Sequence, residues 1–97
     1  MFVVSIEYKV DLSEVDKFIA EHIEFLDKYY SKGNFLASGR KVPRTGGVIL
    51  ATANSKDELD SILAEDPFNK ANLANYEVIE FVPSKYASAF SEIEKLT

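Results

Sequence analysis

The run FVVSIEYKVDLSEVDKFIAEHIEFLDKYY, residues 2–30, decides the fold, because the period of its apolar residues changes once along it. Phe2, Val4, Ile6 and Tyr8 alternate with Val3, Ser5, Glu7 and Lys9, the two-residue period of a strand with one strongly apolar face. From Ser13 onward Val15, Phe18, Ile19, Leu26, Tyr29 and Tyr30 recur at helical spacing, while Glu14, Lys17, Glu21 and Lys28 take the other side. The spacing predicts a helix of about five turns. Ser13 is its expected N-cap with Asp16 three residues on, Lys17/Glu21 and Glu24/Lys28 are i,i+4 pairs, and Gly33 supplies a left-handed stop.

After Gly33, residues 35–40 and 47–53 read as two strands, and the short link through Lys41, Pro43, Arg44 and Thr45 makes them an antiparallel hairpin. Ser55 and Glu58 form a capping box ahead of Leu59, Ile62 and Leu63, which predicts a shorter second helix that ends before Pro67. Residues 76–82 are apolar enough for a fourth strand. Past Pro83, residues 84–96 place Tyr86, Phe90 and Ile93 about one turn apart, suggesting a short terminal helix. The order β-α-β-β-α-β is the ferredoxin-like α+β arrangement, with right-handed crossovers placing both helices on one face of a four-stranded antiparallel sheet. The other face stays open. Some mixture of Val3, Ile49, Ile79 and Phe81 there would expose an apolar patch, so a homodimer is expected.

A chain of 97 residues suits one domain, 1–97, with a core over 1–83 and a helical tail over 84–97. Hydrophobic residues at 46% and charged residues at 28% place it among soluble globular proteins rather than disordered or membrane ones. No apolar run approaches the roughly 18 residues of a membrane span, and residues 1–9 lack the features of a signal peptide, so a cytoplasmic location is expected. The absence of cysteine excludes disulfides, thiolate nucleophiles and Cys-based metal sites. A net charge of −5 with scattered Lys and Arg argues against nucleic acid as a partner. Gly46 and Gly47 match neither glycine-rich phosphate-binding pattern, and one histidine without ligand spacing makes a catalytic metal centre an unfavoured reading.

His22, the only histidine, lies three residues after Ile19, four after Phe18 and four before Leu26, in the middle of the apolar stripe. A polar ring there must find a hydrogen-bond partner or cost about 1–3 kcal/mol of desolvation. It is read either as a satisfied core residue or as a functional one. Asp66 is its natural partner: it ends the second helix ahead of Pro67, where a carboxylate faces the negative end of the helix and needs a compensating donor. An Asp holding one ring nitrogen fixes the tautomer and frees the other nitrogen to accept a proton. The alternative for Asp66 is a solvated turn residue. Ser38 and Arg40 close the second strand around Gly39, where an anion could dock, although an exposed strand-end arginine is an equal reading. Phe68, in the loop after Asp66-Pro67, is a candidate wall for an aromatic substrate.

His22 followed by Phe25-Leu26, then Gly33-Asn34-Phe35-Leu36-Ala37-Ser38-Gly39, a Gly-rich third strand and Asp66-Pro67-Phe68 together resemble the YciI-like (YCII-related) domain family over nearly the whole chain. The resemblance implies a dimeric α+β barrel of the ferredoxin-like type, related in fold to muconolactone isomerase. It also implies that His22 and Asp66 correspond to the family's shared His-Asp dyad. Most members have no established reaction, and one relative is a dehydrochlorinase of chlorinated aromatic breakdown. Two departures are visible: many relatives carry an arginine shortly before the histidine, where this chain has Ile19, Ala20 and Glu21, and Gly39 is followed by Arg40 rather than a small residue or proline.

The leading expectation is a cofactor-free enzyme of lyase or isomerase type acting on a small anionic or aromatic substrate. In it His22 is general acid/base, Asp66 orients it, Ser38 and Arg40 hold the substrate and Phe68 lines the pocket. The rival is a non-catalytic small-molecule-binding or accessory dimeric module in which His22 is a polar core residue. A cofactor-independent monooxygenase, as on similar barrels, has no signature of its own here.

Overall fold

Strand β1, Phe2–Tyr8, is the axis of the sheet. It pairs antiparallel with β3, Gly46–Ala51, on one side and with β4, Ala74–Glu80, on the other. Strand β2, Phe35–Arg40, continues the sheet beyond β3, giving the order β2-β3-β1-β4. The computed structural model describes residues 1–96, with side chains through residue 93. Helices α1 (Leu12–Asp16) and α2 (Ile19–Ser31) link β1 to β2, and α3 (Lys56–Leu63) and α4 (Pro67–Lys70) link β3 to β4. This is the ferredoxin-like α+β fold expected from the change of period in residues 2–30.

The helices cover the face that carries Phe2, Val4, Ile6, Ile49 and Ala51, where Phe25, Tyr29, Leu59, Ile62 and Leu63 pack onto the sheet. Ile49 therefore belongs to the core, at 2% exposure, and not to the open face. It stands opposite Val4, one residue out of phase with the open-face pair Val3 and Leu50, and a one-residue step moves a side chain to the other face. On that open face Val48 and Ile79 are exposed among the described residues. Gly46 crosses β1 so closely that a Cβ would lie 1.7 Å from the Ile6 carbonyl oxygen, which leaves no side chain but hydrogen possible there.

Four local expectations are corrected. The first helix is two helices, because Phe18 leaves the helical path at φ −112°, ψ 4°. The break lets α1 bury Val15 in a small second cluster with Phe68 and Leu73, while α2 buries Phe25 and Tyr29 in the main core. The rotated phase brings Phe25 inside and leaves Tyr30 exposed. Asp11, not Ser13, takes the N-cap position of α1, without a side-chain capping bond. Pro67 opens a further short helix, α4, instead of a loop. The tail is a 3-10 segment, Ser88–Leu96, interrupted at Phe90, which is exposed. By contrast, Gly33 adopts φ +84° at the end of α2, and Ser55 accepts from the Glu58 N–H at 3.1 Å at the start of α3, both as expected.

Candidate active site

The first turn of α2 carries His22, whose backbone N–H donates to the carbonyl of the N-cap residue Phe18 at 2.9 Å. Its Nδ1 lies 2.8 Å from Oδ1 of Asp66, with side-chain exposures of 15% and 0%. Asp66 sits at the N-cap of α4, not at an unfavourable helix C-terminus. Its Oδ1 also accepts from the Phe68 N–H at 3.0 Å, and Oδ2 accepts from the Tyr76 hydroxyl at 2.6 Å. The sequence expectation of an uncompensated carboxylate is thus reversed: α3 has already ended, and the chain turns so that Asp66 caps the next helix, where a negative group is favoured. A carboxylate offers only acceptors, so three donors converge on it, one of them the imidazole Nδ1–H. That arrangement places the neutral ring's lone pair on Nε2.

Tyr76 was missed by the sequence reading. It stands opposite Ile6 on the helix-covered face of the sheet, where period-two alternation marks it only as core. Burial, and then the Asp66 charge, pushes its phenol well above the ordinary value, so it remains a donor to Asp66. Phe68 is buried at 2%, with its ring stacked on His22 and the Tyr8 ring meeting its edge at 5.9 Å.

His22 lines a cavity of about 410 Å³ bounded by α2, the sheet and the β2–β3 hairpin. Ile6 and Ile49 contribute from the sheet, Ile19, Ile23 and Leu26 from α2, and Ser38, Arg40 and Arg44 give polar groups. Phe68 lines it too, so all five residues singled out in the sequence gather here: four on the wall, and Asp66 behind His22. Ser38 shares a 2.6 Å hydrogen bond with the Tyr30 hydroxyl. Arg44, in the hairpin link, also reaches the cavity; it donates to Asp16 at 2.6 Å, and that carboxylate keeps its guanidinium firmly charged. Among the described residues no three His, Asp or Glu side chains gather in a way that would hold a metal ion.

A neutral imidazole with Nδ1 tethered to a buried carboxylate can take a proton at Nε2, and the carboxylate then stabilises the imidazolium. No curated protein sequence matches this chain. Its fold is similar to that of 5-chloro-2-hydroxyhydroquinone dehydrochlorinase (TftG) from Burkholderia phenoliruptrix AC1100, whose structure is a complex with 2,5-dihydroxybenzoquinone. The TM-score is 0.72 at 23% identity, covering 84% of this chain and 92% of that one, a likeness of fold. Residues 1–82 match the YCII-related domain, and the chain accordingly belongs to the YCII-related domain family.

Proposed function

We propose that this protein is a cofactor-free enzyme of lyase or isomerase type that moves a proton on a small anionic or aromatic molecule. The observation that carries the reading is the 2.8 Å contact between His22 and the fully buried Asp66 on the wall of the cavity. His22 Nε2 removes a proton from the substrate as general base, and Asp66 holds the ring and balances the imidazolium charge. The freed electron pair forms a new double bond. Either the proton returns at another atom, or a leaving group departs with its own bonding pair. Neither outcome requires an electron acceptor.

Arg40 and Ser38 hold the substrate's oxygens, and Phe68 backs the imidazole. The cavity, at about 410 Å³, is of a size that suits a single-ring molecule. The structural neighbour's name describes loss of hydrogen chloride from a hydroquinone, which is proton abstraction coupled to departure of an anion. A second copy of the chain covers the apolar open face in this reading.

A second reading has one observation in its favour: His22 is only 15% exposed and packed flat on Phe68, as a core imidazole would be. In that case the cavity binds a small molecule without converting it. The two part on one assay, chloride release from 5-chloro-2-hydroxyhydroquinone together with proton exchange into hydroxyquinones in deuterated water. The enzymatic reading expects turnover that falls about a hundredfold or more in His22→Gln and Asp66→Asn. Binding with no turnover by the natural sequence favours the second reading.

A further inference from the structure

We propose that Arg44 and Arg40 together form a two-point cradle that selects a single-ring molecule bearing two anionic oxygens, such as a ring diolate or dicarboxylate. The inference rests on the site described above and names the class of substrate it takes. The chain as a whole is acidic, with a net charge of −5. Yet among the described residues the charged side chains lining the cavity are the two arginines, with no Asp or Glu. Cationic groups at the wall of a cavity in an otherwise acidic protein concentrate ligands of complementary charge there, with the Arg40 side chain unpaired among the described residues and Arg44 shared with Asp16.

The two arginines are held differently. Arg40 ends β2 on the same row as Gly47 and Ile6, and because Gly47 has no side chain, space is left between them. The Arg40 side chain makes no hydrogen bond or ion pair with the described residues, its backbone alone pairing in the β2–β3 ladder, so its fork of donors is available to an incoming anion at the cavity wall. Arg44 comes from the hairpin and gives Nη2–H to Asp16, which leaves most of its five N–H donors unspent. Asp16 lies at the end of α1, beside the helix break that precedes His22. A ligand oxygen on Arg44 therefore competes with Asp16 or shares the guanidinium with it. A neutral ring would desolvate the unpaired Arg40 with no charge in return. A monoanion would answer Arg40 while Arg44 stays on Asp16, so that a second anionic oxygen is what engages both.

The test is calorimetric binding of three probes to the natural sequence and to His22→Gln: 2,5-dihydroxybenzoquinone, a dianion at neutral pH; benzoate, with one carboxylate; and uncharged hydroquinone. The dianion should bind about tenfold or more tighter than benzoate, and hydroquinone weakest. Arg40→Gln should weaken both anions. Arg44→Gln should bring the dianion down to the level of benzoate. Asp16→Asn breaks the same ion pair but keeps the guanidinium, so it should bind the dianion as well as the natural sequence or better. If Arg44→Gln does not fold, Arg44→Lys should keep part of the preference for the dianion. Equal losses in Arg44→Gln and Asp16→Asn would make Arg44 a structural residue and overturn the cradle, as would equal binding of dianion and hydroquinone. Arginine-dependent binding without turnover keeps the cradle and removes the enzymatic reading; turnover with binding indifferent to Arg44 does the reverse.

Discussion

The imidazole of His22 lies flat on the ring of Phe68, with centroids 4.0 Å apart and planes 10° from parallel. The backbone N–H of Phe68 donates to the same Asp66 oxygen that the imidazole holds. One residue thus orients both partners, the ring through its face and the carboxylate through its main chain.

Phe68→Leu keeps the main-chain bond and removes the stack. Urea unfolding should show a loss of about 1–2 kcal/mol from the smaller buried side chain. Turnover should fall further than stability explains, because the imidazole regains freedom about χ2. Activity that tracks stability alone would reduce Phe68 to a packing residue.

Tyr76→Phe leaves Oδ2 of a fully buried carboxylate without its donor, which should cost about 1–3 kcal/mol. In a double-mutant cycle with Asp66→Ala the two losses should be clearly less than additive, since the second change removes the orphaned group. Additive losses would mean that the two side chains do not share a bond.

Gly46→Ala puts a methyl group onto the Ile6 carbonyl, at a place where neither strand can move without breaking the β1–β3 pairing. The loss should exceed the about 1–3 kcal/mol of ordinary overpacking. Thermal melts or soluble yield would read it, and a variant as stable as the natural sequence would contradict this register.

Glu65 joins the segment next to Asp66 to α2, accepting from Lys28 at 2.7 Å and from the Tyr29 hydroxyl. The Lys28 hydrogen bond, and then that of Tyr29, holds its carboxyl below the usual range. A carboxyl lowered in the folded state contributes stability above its unfolded pKa, and that stability is lost as pH falls through the folded value. Glu65→Gln should therefore destabilise the protein slightly at neutral pH, the pair being half exposed, with the gap closing in acid. A gap that widens in acid would reverse the sign and refute the linkage.

The fold was legible because it rests on short-range patterns, whereas the pairing of His22 with Asp66 in the candidate site rests on the family resemblance, the local argument for Asp66 at a helix C-terminus being reversed by α4. A two-residue period giving way to a helical one specified strand and helix, and a histidine at the centre of an apolar stripe demanded a buried partner. What escaped notice depends on long-range geometry. The role of Asp66 as a cap rests on α4, four residues long and too short to show periodicity. Tyr76 and Ile49 needed the pairing register before their faces could be assigned. Phe25 was hidden by the break at Phe18, across which a single helical phase does not carry. Arg44 lay in a link whose hairpin length says nothing of what its side chains reach.

Long-range proton–nitrogen NMR of the His22 ring in its neutral form tests the Asp66–His22 pairing most directly. The account predicts the Nδ1–H tautomer, with a bare Nε2, in the natural sequence and loss of that preference in Asp66→Asn. A proton found on Nε2 in the natural sequence would contradict it, since the nitrogen assigned as base would then have no lone pair to offer.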